Sequence, residues 1–398
     1  MDQSNPATVT ARNESPAGRI ALLACGLLCV SLVVLWSCFL PWGRALKGQN
    51  DFLGLYAGAK LAGTAELFSG ESYHKLQTAT ANIWLPSVLY SRPPFYALLL
   101  KPLAALPYRA AYSVFEGLNL AALAIFLLRF ARRDAAVWAL GGASIPVITA
   151  LVNGQDVLLV VLAAAASLAA SRRGRPFLAG LLLALCSVKF HMFVFVPVAL
   201  VLQKRWRMLG GGAVGVAALY VASSLAQGWA WPVPYLHFIL SPALHPAPFT
   251  MPNLHGLVVA TVGDRIGVEL FLAAIVAAAV IYMSAGSENF ESVFAISIAA
   301  GLLTSHHAYI QDCCVLLLIP VFARHRPGLR TISLALLSPP VYFLLLADGW
   351  PSALVPAAIL GMVLYAAFLA TGEREERTGF LDTMQRCKPH SAAPALEQ

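Results

Sequence analysis

Eleven polar residues in an otherwise apolar chain have the side chains to do chemistry: Asp51, Arg92, Asn153, Gln155, Asp156, Lys189, His191, His255, His306, His307 and Asp312. A carboxylate among them can take a proton from a hydroxyl as a general base, and Arg, Lys and His can hold an anion through charge-assisted hydrogen bonds. Their setting gives them weight. Of 398 residues, 59% are hydrophobic and only 12% charged. Too few charges are present to cover that much apolar surface in water, so lipid must cover the excess. The composition therefore describes a polytopic membrane protein and excludes a soluble enzyme, a disordered chain and a nucleic-acid-binding module. An ionisable group at membrane depth costs at least ~2.5–3.5 kcal/mol at a helix centre, so a one-sided collection of them implies a solvated cavity.

The elements that must position these residues are apolar runs separated by breakers. About twelve spans are expected, at 20–40, 110–128, 135–151, 157–170, 177–188, 192–202, 209–227, 267–283, 291–303, 313–322, 331–346 and 352–370. Several are short for a hydrocarbon core of ~30 Å and need shelter among neighbours. Two further stretches, 93–106 and 256–262, are broken by Pro and Gly and are expected to be re-entrant or interfacial, sheltered by protein or a water-filled cavity. The resulting organisation is a cytoplasmic tail over 1–19, a membrane domain over 20–371 with a first outer loop at 41–109, and a cytoplasmic tail over 372–398. The first run is long enough to span, which argues against a cleavable signal peptide. The seven cysteines lie in or beside apolar runs or in the tail and read as small hydrophobes, not as a disulfide framework.

The net charge of +8 orients the bundle. Four short loops, carrying Arg129, Arg132 and Arg133, then Arg172, Arg173 and Arg175, then Lys204, Arg205 and Arg207, then Arg324, Arg326 and Arg330, hold twelve of the 27 basic residues. Basic loops stay in the cytoplasm. The alternate loops then face outward, and all eleven polar residues go with them. Loop 284–290 fits less well, since it should be cytoplasmic but has no Lys or Arg.

The order of motifs resembles a known family. Asn50-Asp51-Phe52-Leu53-Gly54-Leu55-Tyr56-Ala57 stands just beyond the first span and is followed by two helical stretches. Then come Ser91-Arg92-Pro93-Pro94-Phe95, Asn153-Gly154-Gln155-Asp156, Ala179-Gly180 leading to Lys189, and Ser305-His306-His307-Ala308-Tyr309-Ile310-Gln311-Asp312. This series is similar to glycosyltransferase family 87, the polyprenol-phosphate-mannose-dependent mannosyltransferases of the GT-C superfamily. Arg92 stands where that family usually has Tyr, Asp156 sits beside the usual Asn position, and His306 and Gln311 replace Pro and Tyr.

The resemblance implies an all-α GT-C-type bundle with interfacial helices in the first outer loop. It also implies transfer of a hexose, with mannose expected, from a polyprenyl phosphate to a lipid or glycan acceptor, inverting at the anomeric carbon on the extracytoplasmic face of the plasma membrane. Asp51 would be the general base. Arg92, Gln155, Lys189, His255, His306, His307 and Asp312 would contact sugar or phosphate, and no cofactor or metal is expected. Plainer readings stand beside these. Asp51 can be a helix N-cap, Lys189 can snorkel, Arg92 can anchor a headgroup, and His306 with His307 can be a helix-terminus pair. A metal at His306, His307 and Asp312 is disfavoured, because neighbouring residues point apart and a third contributor would be needed.

The aromatic and proline-rich stretch 228–252 can anchor in headgroups or form a floor for a sugar ring. Gly210-Gly211-Gly212 matches no nucleotide fingerprint, which favours a lipid-linked donor over a nucleotide sugar. The leading rival is a transporter or flippase of lipid-linked sugars, with a non-catalytic membrane scaffold third. A transporter would hold its polar site near the midplane between repeated halves, and no internal repeat is evident.

Overall fold

Breakers and caps in the sequence begin most of the helices. Pro94, Pro176, Pro232, Pro327 and Pro339 each occupy a first-turn position, where a missing N–H costs nothing. Ser144, Asn253 and Asn289 accept hydrogen bonds from backbone N–H groups of the helices they precede. The computed structural model describes residues 34, 37–38, 42–132, 134–142, 144–240, 250–347 and 349–386, with side chains through 372. It is 79% helix, and no strand occurs among the described residues. The expected span at 20–40 apart from residues 34, 37 and 38, the tails at 1–19 and 387–398, Arg133 and residues 241–249 lie outside the described residues.

After a turn of helix α1 (Trp42–Ala45), the first loop forms α2 (Phe52–Leu61) and α3 (Gly70–Ala81), then α4 (Pro94–Leu100). The chain continues with α5 (Tyr108–Phe130), α6 (Ile145–Asn153), α7 (Val157–Arg172) and α8 (Pro176–Ala184), which runs on as 3-10 helix through Phe193. Next come α9 (Val196–Leu202), α10 (Trp206–Gln227), α11 (Pro232–Ile239), α12 (Leu254–Val262), α13 (Ile266–Gly286) and α14 (Phe290–Thr304). A 3-10 run, Ile310–Leu317, leads into α15 (Leu318–Phe322), followed by α16 (Pro327–Leu337), α17 (Pro339–Leu345) and α18 (Leu354–Arg386).

Among the described residues, five helical segments are long and apolar enough to cross a membrane: Tyr108–Phe130, Pro176–Phe193, Trp206–Gln227, Ile266–Gly286 and Trp350–Gly372. Two bent pairs, α6 with α7 at 119° and α16 with α17 at 64°, bring the number to seven. The expected twelve spans are therefore not matched one for one. The reason is visible in α14 and the 310–322 run, both too short to span alone. Phe290, Ser292 through Leu303 and every residue from Ile310 to Phe322 are buried. Helices apolar on all sides belong in the interior, and these form the centre of the bundle. Around them, α10 and α13 expose Leu225 (79%), Leu270 (63%) and Phe271 (66%). Apolar surface of that extent needs lipid.

Where an outward loop is expected at 189–191, two helical pieces meet at a kink at Lys189, the one residue of the Leu185–Phe193 run with non-helical dihedrals. The polar stretch expected as a tail from 372 continues α18 as helix to Arg386.

Candidate active site

Asp51 precedes α2, and local hydrogen bonds hold it there. Asn50 donates from Nδ2 to the Val152 carbonyl at 3.0 Å and accepts from the Tyr108 hydroxyl at 2.6 Å. The Tyr112 hydroxyl donates to the carbonyls of Leu151 and Val152. Helix α5 thus joins the start of α2 to the end of α6. Gly154 caps α6 with φ +65°, and a Cβ there would overlap the Cβ of Phe52. Only glycine allows both the left-handed turn and the close approach. That contact brings Gln155 beside Asp51.

The Gln155 amide donates to Asp51 Oδ2 at 2.6 Å. Its carbonyl oxygen accepts from Arg92 Nη2 at 3.2 Å and Lys189 Nζ at 3.4 Å. Arg92 grips Asp156 with two nitrogens, Nε to Oδ2 at 2.8 Å and Nη2 to Oδ1 at 3.2 Å. Lys189 Nζ lies 2.6 Å from Asp312 Oδ1 and 3.5 Å from Asp156 Oδ1. Asp312 Oδ2 in turn accepts from the Tyr309 backbone N–H at 3.0 Å. Asp156, Lys189 and Asp312 are buried, with Lys189 only 2% exposed, whereas Asp51 is half-buried.

The scaffold explains this convergence. The kink at Lys189 follows Gly301 of α14, where a Cβ would overlap the Met192 carbonyl. On the other side, Tyr90 donates to the Pro93 carbonyl at 2.8 Å and Tyr235 of α11 donates to the Ser91 carbonyl at 3.1 Å, clasping Arg92 between them. The aromatic stretch after 228 therefore packs on the arginine's backbone, with Tyr235 and Phe238 buried against Phe68 and Tyr73.

The chemistry follows from counting charges. Three carboxylates (Asp51, Asp156, Asp312) face two cations (Arg92, Lys189), and the cations bond directly to Asp156 and Asp312. The inner four groups balance, which leaves Asp51 with the excess negative charge. Burial raises the pKa of Asp51 above the usual aspartate value, opposed by the Gln155 hydrogen bond and by the charges of Arg92 and Lys189. A half-buried carboxylate of raised basicity, reached through an amide from a neutral ion-pair cluster, is equipped to accept a proton.

Asp51 occupies the N-cap position of α2, but its side chain makes no capping bond. Lys189 does not snorkel, since it is buried between carboxylates. Arg92 is engaged with Asp156 and not extended as a surface anchor. Asp156, at the centre of the network, was not among the predicted contacts; its adjacency to Gln155 was the available signal. The Tyr309 hydroxyl is buried and has no hydrogen-bond partner among the described residues, and the His307 ring meets the Tyr309 ring edge-on at 5.0 Å.

His306 and Asp312 go to different places. The His306 Nδ1 lies 3.2 Å from Glu269 Oε1, and Glu269 Oε2 lies 2.9 Å from His255 Nδ1. Glu269 was not singled out by sequence reasoning.

No curated protein and no solved structure matches the chain. Residues 90–306, more than half of the chain, match the family model for Glycosyltransferase family 87, an interval that includes Arg92, Gln155, Asp156, Lys189, His255 and His306. On that match the chain belongs to glycosyltransferase family 87 and is a membrane glycosyltransferase.

Proposed function

We propose that the protein transfers a hexose, mannose by family resemblance, from a polyprenyl phosphate to a lipid or glycan acceptor, with Asp51 as general base. The observation that carries this reading is the half-buried Asp51 carboxylate, held at 2.6 Å by Gln155 at the edge of the buried ion-pair cluster. In the reaction the acceptor hydroxyl gives its proton to Asp51 as its oxygen bonds to the anomeric carbon. The bond from that carbon to the phosphate oxygen breaks on the opposite face, and its electron pair leaves with the lipid phosphate. The anomeric centre inverts.

Arg92 and Lys189 act mainly through Gln155. Their N–H groups are engaged by Asp156, Asp312 and Gln155, so they set the orientation and basicity of Asp51 and neutralise the cluster. In this reading His307 and the Tyr309 hydroxyl donate to the charge that grows on the phosphate, which the Tyr309 hydroxyl, unpartnered among the described residues and beside the His307 ring, supports. No cofactor enters these steps.

The basic loops support an extracytoplasmic site. Arg172 ends α7, at the end of that helix opposite Asp156. Retention of such loops in the cytoplasm would turn Asp51 outward.

Purified protein supplied with labelled polyprenyl-phosphate mannose and a panel of lipid and glycan acceptors tests the proposal. Transfer by the wild type and its loss in Asp51→Ala is the expected result. Undiminished transfer by Asp51→Ala overturns the base assignment, and no transfer from any polyprenyl donor overturns the donor assignment.

A further inference from the structure

Glu269 sits in an unfavourable place for an acid. It lies in the first turn of α13, a helix long and apolar enough to cross a membrane, and the next two residues, Leu270 and Phe271, are exposed apolar side chains. Its own carboxylate is only 12% exposed. A carboxylate drawn out of water at the edge of an apolar span requires compensation. Two histidines from two other elements supply it: His255 from the first turn of α12 and His306 from the turn after α14.

The three side chains converge as metal ligands do. One donor atom from each of His255, Glu269 and His306 lies within 4.8 Å of the others, and the two imidazole rings stand 4.3 Å apart. Around a tetrahedral ion at ordinary Zn–N and Zn–O bond lengths, donor atoms lie about 3.3 Å apart. Rotation of His306, whose side chain is 51% exposed, can close that difference. The backbone is already held in place, because Asn253 caps α12 through Gly256 N at 2.8 Å and donates from Nδ2 to the Ser305 carbonyl at 2.7 Å.

We infer that His255, Glu269 and His306 form a binding site for a divalent transition-metal ion of the zinc class. Two neutral imidazoles and one carboxylate suit such an ion and leave a fourth position for water, on the side where His306 is exposed. The bound ion joins three chain segments, α12, the start of α13 and the 305–309 turn, and so braces the turn whose Tyr309 N–H holds Asp312. The expectation of no metal considered His306, His307 and Asp312 and noted the need for a further contributor; the fold supplies two, from 51 and 37 residues away in sequence.

The test is metal binding by the full chain in detergent, stripped with a chelator and titrated with Co2+ and then Zn2+. The expected result is one Co2+ per chain with the visible absorption of four- or five-coordinate cobalt, displaced by Zn2+ and accompanied by a higher Tm. Glu269→Gln, which keeps the hydrogen bonds to the histidines but weakens the ligand, and His306→Ala at the exposed position should each lower the affinity more than about tenfold. A wild type that binds no Co2+ with this signature, or variants that both bind as tightly as the wild type, overturns the site. Neither readout depends on glycosyl transfer, so failure here leaves the proposed reaction standing.

Discussion

Each end of α7 takes part in a carboxylate–arginine pair, and the two pairs sit in different surroundings. At its start, Asp156 belongs to a buried network of Arg92, Lys189, Asp312, Gln155 and Asp51. At its end, about 24 Å away at the helical rise per residue, Arg172 pairs with Glu291 of α14 in a partly exposed bidentate contact and lies over the Phe322 ring. At the same end of the bundle Arg330 of α16 pairs with Asp134 at 2.9 Å, both partly exposed. Exposed pairs contribute little, because water screens both partners, while a buried network is costly to disturb because each member depends on the others. The contrast is between water-screened pairs at one end of the helix and an interdependent buried network at the other.

The largest effect expected is on activity. Asp51→Asn should lower transfer by about 10²–10⁴-fold, the usual contribution of a general base, as measured by initial rates with a saturating donor. The same substitution should keep or raise Tm at neutral pH. The sign follows from the raised pKa of Asp51: its contribution to stability is full below the ordinary aspartate value and is lost as pH rises through the raised folded-state value. A neutral amide avoids that loss, and a lower Tm in Asp51→Asn would count against this assignment.

Next is Lys189→Met, which leaves Asp156 and Asp312 short of their shared cation. A loss of about 3–5 kcal/mol is expected for breaking one partner out of a buried pair, read by thermal or denaturant unfolding in detergent. Adding Asp312→Asn should recover part of it. A double variant no more stable than Lys189→Met would show that the pair is not coupled.

A smaller effect distinguishes positioning from contact. Gln155→Leu removes the hydrogen bond that lowers the pKa of Asp51, so the acidic limb of the pH–rate profile should move to higher pH. An unchanged limb would mean that Gln155 does not set the basicity of Asp51.

The smallest change belongs to the other end of the bundle. Arg330→Gln, in a partly exposed pair, should cost no more than about 1 kcal/mol and leave transfer unchanged. A loss as large as that of Lys189→Met would erase the contrast between the two ends.

Much of the site was legible in the sequence for a simple reason: polar residues in an apolar chain are conspicuous. Asp51, Arg92, Gln155, Lys189 and Asp312 were all named from the sequence and all meet in one network. The roles were less legible. A lone Lys189 beside Phe190 reads equally as a snorkelling residue or a phosphate contact, and only its burial between Asp156 and Asp312 shows that its charge is already matched. Asp156 was named among the polar residues and in the motif with Gln155 but was given no contact of its own. Glu269 was passed over because one acid near a span end looks like an interfacial residue until His255 and His306 are brought to it.

The sequence by itself determined the solvent the protein needs and many of the places where helices start. These follow from composition, from Pro, Gly and cap residues, and from hydrophobic run length, all of which act over a few neighbouring residues. Only the tertiary structure decided which of those residues share partners. Lys189 meets Asp312 across 123 positions and Gln155 meets Asp51 across 104. Contacts at such separations depend on how closely backbones approach, as at Gly154 against Phe52 and Gly301 against Met192, and that packing has no local signature in the chain.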